Sequence, residues 1–325
     1  MSIPALGIDV AKHTFQAALL INGKLKQKSC ANSKDGFQQL LEWLARHAGS
    51  SVHACMEATG RYHEALAEAL VEAGHVVSVL NPLVIQRYAQ CRLSRTKTDP
   101  TDAALLAEFC HKESPAPWSP PAPEFRDLQE LVRHAHALGE ARQVAKNQLG
   151  AGLRCEHVAA SLTKLIRTLD TQIDEVWHRI KSLVATRPQL KWQSELLVSI
   201  PGIGEKTAAI ILAEVQDISR FNDVRQLVAF AGLCPKERQS GSSVRGKPQL
   251  SKVGNARLRK ALYMPALVAK RWNPLLKAAA ERLAARGKTK MAIQGALMRK
   301  LLHLVFGILK NRKPFEAEFA PCQAR

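Results

Sequence analysis

Apolar positions change period several times along this chain, and the changes divide it. In the first eighty residues, short apolar runs alternate with stretches of helical spacing. "ALGIDV" (5–10) and "TFQAALLI" (14–21) read as strands, and Asn22-Gly23 turns the chain back into "KLKQKSCA" (24–31). Ser33 and Asp35 open a helix through "FQQLLEWLARH". "VHACME" (52–57) is a fourth strand, "RYHEALAEALVEA" a helix closed by Gly74, and "HVVSVL" (75–80) a fifth strand. Asn81-Pro82 caps a further helix. Three strands, then helix, strand, helix, strand and helix is the order of a ribonuclease-H-like α/β domain. That order predicts a fold and not an activity.

Prolines 115, 117, 120, 121 and 123 punctuate the chain after this domain. Residues 125–150 have helical character. From Val158 onward, apolar residues at 162, 165, 169, 173, 176, 180 and 183 keep steps of three and four, a coiled-coil-like seam ending near Pro188. Its partner is either the preceding helix, in an antiparallel hairpin, or a second molecule. The rest is helical, punctuated by glycine. The expected division is 1–124 α/β, 125–188 helical seam, and 189–325 mostly helical.

Charge sharpens the picture. The chain of 325 residues carries a formal net charge of +19. Residues 1–120 hold 12 basic and 11 acidic residues, whereas 235–313 hold 20 basic residues against two acids, Glu237 and Glu281. A solvated face would interleave the two signs, so this segment is a polyanion-binding footprint. Its several separate helical patterns fit nucleic acid better than a single amphipathic helix lying on a membrane. No uninterrupted apolar run reaches the ~18 residues that suggest a bilayer span, and the start lacks a secretory pattern. The seven cysteines (30, 55, 91, 110, 155, 234 and 322) are scattered without a C-x-x-C pair. That spacing argues against a disulfide framework or a cysteine zinc site, and for a reducing cytoplasm.

Two groups of residues carry candidate chemistry. Asp9 and Glu57 end neighbouring strands, where α/β sheets place ligands. Asp99 and Asp102 in "KTDPTDAALLAEF" open a helix; read locally, Asp99 is an N-cap with Pro100 at N1 and Asp102 at N3. The same spacing puts both carboxylates on one helical face, so capping and cation binding both stand for this pair. All four acids together are a more specific signal. Clustered like charges are costly unless a cation neutralises them, and Mg²⁺ prefers hard oxygen donors. In the second group, "SGSSVRG" offers Ser240, Gly241, Ser242, Ser243 and Arg245 as a phosphate cradle, beside Lys247, Lys252, Arg257, Arg259 and Lys260. "SIPGIGEKTAA" resembles a helix–hairpin–helix element, in which Gly202, Gly204 and Lys206 would meet a phosphate.

Taken together, "GIDVAK", "MEATGRY", "VSVLNP", "KTDPTDAALLAEFC", "SIPGIGEKTAA", "FAGLCP", "SGSSVRG" and "LRKALYMPA" resemble, in order and over almost the whole chain, the DEDD transposases of bacterial insertion sequences. That family is related to the Piv DNA invertase and includes the bridge-RNA-guided recombinases. The resemblance implies a RuvC-like N-terminal domain with Asp9, Glu57, Asp99 and Asp102 as its metal-binding set, and a C-terminal transposase domain with Ser240 as nucleophile. It further implies donor and target DNA, a noncoding bridge RNA, and a site shared within a homodimer or homotetramer. With it, metal binding becomes the favoured role of Asp99 and Asp102. Two rival readings remain: a Holliday-junction-type endonuclease that uses the acids alone, and a non-catalytic packaging protein, which would have no use for them.

Overall fold

In the computed structural model, the residues described are 3–49, 51–58, 60–92, 98–237, 239–240, 244–246 and 249–316. The chain divides into two compact units, residues 1–120 and 121–325.

The first unit is a five-stranded sheet: β1 (Ala5–Val10), β2 (Thr14–Ile21), β3 (Lys24–Ala31), β4 (His53–Glu57) and β5 (Val76–Leu80). Its order is β3-β2-β1-β4-β5. β1, β2 and β3 pair antiparallel, and β4 and β5 join parallel to β1, as the ribonuclease-H-like pattern requires. Side-chain alternation gives the sheet two different faces. Leu6, Ile8, Val10, Phe15, Ala17, Leu19 and Met56 face one way and are buried against Leu40 and Leu44 of α1 (Lys34–Ala48) and Leu66, Ala67 and Leu70 of α2 (Glu64–Glu72). α1 is stopped by Gly49 in the left-handed region, with Ser33 as its N-cap. The opposite face presents Ala5, Gly7 and Ala18, small residues on which α4 (Asp99–Glu113) rests; α3 (Pro82–Cys91) packs beside it through Ile85.

The second unit is mainly helical. α5 (Pro123–Leu149) and α6 (Glu156–Thr186) pack together as a helical hairpin, so the seam's Leu169, Ile173 and Ile180 are buried within the chain. Near the hairpin's turn, Val158 and Leu165 stay exposed. α7 (Pro188–Val198), α9 (Val224–Phe230), α11 (Tyr263–Trp272) and α12 (Pro274–Ala285) pack on α13 (Lys290–Asn311), while α8 (Glu205–Val215) packs on α5, α7 and α10 (Ala256–Ala261). α13 is long and apolar enough to span a bilayer, but here Leu297, Leu301, Leu302 and Val305 form the centre of the unit's core. Short strands β6 (Pro235–Lys236) and β9 (Gln249–Leu250) pair, as do β7 (Gln239–Ser240) and β8 (Val244–Arg245).

Candidate functional site

The parallel register of β1 and β4 places the first two acids. Gly7 lies opposite Cys55 and Ile8 opposite Met56, so Asp9 and Glu57 are the next residues along two hydrogen-bonded strands. Adjacent strands stand about 4.8 Å apart and side chains two residues apart share a face. Asp9 therefore projects on the same face as Gly7, and Glu57 on the same face as Cys55. Both carboxylates are half-buried.

Gly7 explains how the helix reaches this edge. A Cβ there would run into the backbone of α4 at Ala103 O and Ala107 N, so only glycine lets the helix lie this close. The direction of α4 follows from its contacts. Ala103 and Ala107 pack against Ala18, while the Cys110 thiol reaches the carbonyl of His53 at 3.2 Å, at the other end of β4. α4 thus runs antiparallel to β1, and its first turn, with Asp99 and Asp102, points to the strand ends that carry Asp9 and Glu57. Gln27 Nε2 ties this turn to the sheet by donating to Pro100 O at 3.0 Å.

The helix start differs from the sequence expectation. Thr98 is the N-cap, in a capping box with Thr101, and Asp99 and Pro100 occupy the first two helical positions. Threonine takes the capping role because its hydroxyl accepts from Thr101 N and its own N–H is met by the Thr101 side chain. Asp99 is not the cap; its side chain is exposed and Asp102's is half-buried.

The loops at this edge are fastened by a residue that patterning passed over. Asn32 Nδ2 donates to Ala11 O at 2.9 Å and Tyr62 O at 3.1 Å, joining the loop after β1 to the loop after β4. The signal was present, an asparagine directly after a strand, but nothing in one dimension indicates which loops it would meet.

On the same sheet face, under the later turns of α4, lie His53, Cys55 and Cys110. One donor atom from each falls within 4.8 Å of the others. His53 Nε2 is 2.8 Å from Ser78 Oγ, and that hydroxyl also lies 3.0 Å and 2.9 Å from the carbonyls of Pro115 and Ala116. Burial holds the His53 pKa below its ordinary value. Contact with Cys110, together with burial, raises that of the Cys55 thiol.

The second unit holds the basic candidates. Ser240 ends β7, its backbone paired with Val244, and Arg245 follows in β8. Gly241, Ser242, Ser243 and Lys247 lie outside the described residues. Lys252 and Arg257 are exposed. Arg259 instead donates from Nη1 to Ala231 O at 3.0 Å, and Lys260 stands 3.5 Å from Glu140 Oε1. α10, which carries Arg257, Arg259 and Lys260, is anchored at Asn255, the N-cap. Asn255 Nδ2 donates to the buried Glu214 at 2.7 Å, and Arg133 approaches the same carboxylate at 3.3 Å. Gly202, with φ at 107°, makes the turn before α8, but a Cβ there would come within 2.7 Å of Ala269 Cβ and 2.9 Å of Pro265 O. Close packing on α11 is therefore a second reason for that glycine. Gly204 is the N-cap of α8, and Lys206 lies over the ring of Trp177, 5.1 Å from its centroid.

Two family models match this chain: a DEDD transposase model of the IS110 type over residues 6–157, and the transposase IS116/IS110/IS902 family over residues 194–281. The chain is 34% identical to the pilin gene-inverting protein of Moraxella lacunata over 319 residues, which cover 97% of this chain and 98% of that protein. It is 27% identical to the transposase for insertion sequence element IS1111A of Coxiella burnetii, over 55% of this chain and 57% of the other. Among solved structures, T. thermophilus RuvC in complex with a Holliday junction substrate aligns at 12% identity with a TM-score of 0.29, over 36% of this chain and all of that one. That likeness is too slight to bear on the site.

Proposed function

The chain belongs to the IS110/IS116/IS902 transposase family, and on that premise we propose that it is a site-specific DNA recombinase that cuts and rejoins strands through Ser240. What supports this reading is that β1 and β4, which carry Asp9 and Glu57, pair in parallel, and that α4, which opens with Asp99 and Asp102, crosses the same sheet face at Gly7. Sequence inversion, as the name of the Moraxella relative states, and transposition both require cutting and rejoining of DNA.

The four acids are all-oxygen donors on β1, β4 and the first turn of α4, the donor type that suits a divalent ion such as Mg²⁺. Asp9, Glu57, Asp99 and Asp102 would hold Mg²⁺, which when bound supplies positive charge to the oxygens of a scissile phosphate. The protein's own part is to hold these elements. Gly7 sets the height of α4, and Asn32 fastens the loops.

Ser240 Oγ attacks a DNA phosphorus. A serine–phosphate ester forms, the P–O bond to one deoxyribose breaks, and the serine proton passes to the departing sugar oxygen. The same exchange in reverse, from a new strand's hydroxyl, rejoins the DNA and restores the serine without ATP. Arg245, Lys247, Lys252 and Arg257, with Ser242 and Ser243, position phosphates. Donor and target are selected by a noncoding RNA and the site is shared within a homodimer or homotetramer, on the strength of the family resemblance. Pairing by RNA leaves the protein mainly backbone contacts to make, in keeping with its basic second unit.

A suicide DNA substrate with purified chain and Mg²⁺ tests the reading. A DNA-linked peptide containing Ser240 is expected, with loss of cleavage in Ser240→Ala. Full cleavage by Ser240→Ala with no trapped adduct would replace it with a metal-only endonuclease.

A further inference from the structure

We propose that His53, Cys55 and Cys110 form a structural Zn²⁺ site that pins the later turns of α4 to β4. The three residues come from a strand and from a helix whose Cys110 lies 55 positions beyond Cys55, yet one donor atom from each lies within 4.8 Å of the others. Zinc holds sulfur at about 2.3 Å and imidazole nitrogen at about 2.0–2.1 Å; in a tetrahedron that sets donors roughly 3.5–3.8 Å apart. Donors at most 4.8 Å apart need to draw in by about 1 Å to reach that separation.

The chemistry of the donors selects the ion. Two thiolates and an imidazole suit a soft or borderline cation and not Mg²⁺, which would go to the carboxylates instead. Charge also balances: two thiolates and a neutral histidine around Zn²⁺ give no net charge. That matters because Cys55 and Cys110 are almost wholly buried, beside Ala5, Leu20 and Leu80, where an unbalanced charge would be costly. Ser78 supplies the outer partner that zinc-binding histidines usually have: it is fully buried, 2.8 Å from His53 Nε2 and in reach of two carbonyls. Three protein donors leave the fourth position to a small oxygen ligand. Buried cysteines alone are ordinary core residues. Two of them gathered with an imidazole that is itself oriented by a buried hydroxyl are a more specific set.

The consequence for the molecule is positional. α4 would be held at its later turns by the ion and at its middle by Gly7, which fixes where its first turn presents Asp99 and Asp102. The site stands whether or not those acids cleave DNA, so its test is metal content and not activity.

The full-length chain, stripped with a chelator, reloaded with Zn²⁺ and dialysed, should retain one equivalent of zinc. Reloading with Co²⁺ should give a thiolate-to-cobalt charge-transfer band in the near ultraviolet. Cys55→Ala and Cys110→Ala should lose both signals; Asp9→Asn and Glu57→Gln should keep them. The wild-type cobalt band reports sulfur ligation by itself, so the result does not depend on whether the cysteine variants fold. Substoichiometric zinc with no charge-transfer band in the wild type would overturn the proposal, as would full zinc retention in folded Cys55→Ala and Cys110→Ala.

Discussion

Single side chains at the sheet's edge have separable duties. Asp9→Asn, Glu57→Gln or Asp102→Asn should each lower strand cleavage by orders of magnitude while nucleic-acid affinity holds or rises slightly, because each change removes negative charge near a polyanion. Cleavage and filter-binding assays on the same preparations would check this. Thr98→Ala should cost about 1 kcal/mol of stability by removing the cap, and would report on α4 without touching a carboxylate. Histidines give a pH dependence at this scale. Burial lowers the pKa of His63 and of His75, whose Nδ1 accepts from Val52 N at 3.3 Å. Below about pH 6.5 an unfolded histidine binds a proton that these folded ones resist. The unfolded state then holds more protons, so their contribution to stability is present above that value and lost as pH falls through it. Thermal unfolding at pH 8, 6.5 and 5 should show a falling midpoint, with a shallower fall in His75→Gln.

At the level of elements, the fold depends on close approaches that a single methyl would block. Gly7→Ala pushes a Cβ into the α4 backbone, where no flexible side chain can give way. The expected cost is about 1–3 kcal/mol, the range for overpacking, together with a loss of cleavage larger than the stability change explains. A variant that kept full cleavage would show that the placement of α4 does not govern the acids. In the second unit, α10 is held by the Asn255–Glu214–Arg133 network. Glu214→Ala would leave Arg133 and Asn255 without their buried partner and should destabilise that unit by about 3–5 kcal/mol in a denaturant titration. The coiled-coil seam belongs to this scale too. Much of it is consumed by α5, within the chain, while Val158 and Leu165 near the turn remain exposed.

For the whole molecule, the asymmetry of charge is the controlling property. The first unit is nearly neutral, and the basic excess lies in residues 235–313. Lys252→Glu with Arg257→Glu, both exposed and outside the packing network, should weaken DNA and RNA binding at all sequences. The slope of log affinity against log salt should flatten by about 0.9 for each phosphate contact to duplex DNA lost. An unchanged slope would mean that this surface does not face a polyanion.

Much of this was legible in one dimension. The five strands lie within a residue of their sequence expectations because alternation and turn chemistry, such as Asn22-Gly23, act locally. Both strand-end acids were visible for the same reason: each follows a short apolar run. Thr98 as the true cap was in reach but was masked by the stronger appearance of Asp99-Pro100. What needed the tertiary structure was every relation across the chain. The parallel register makes Asp9 and Glu57 neighbours, and Gly7 lets α4 settle with its acids toward them. Arg259 and Gly202 resembled phosphate contacts in sequence, yet both are also engaged in packing inside their unit. Scattered cysteines without a short spacing argued against a zinc site, while the fold brings Cys55 and Cys110 to one histidine. Composition and periodicity record what each segment prefers by itself; which segments meet depends on the sheet's register and on the few small residues that permit contact.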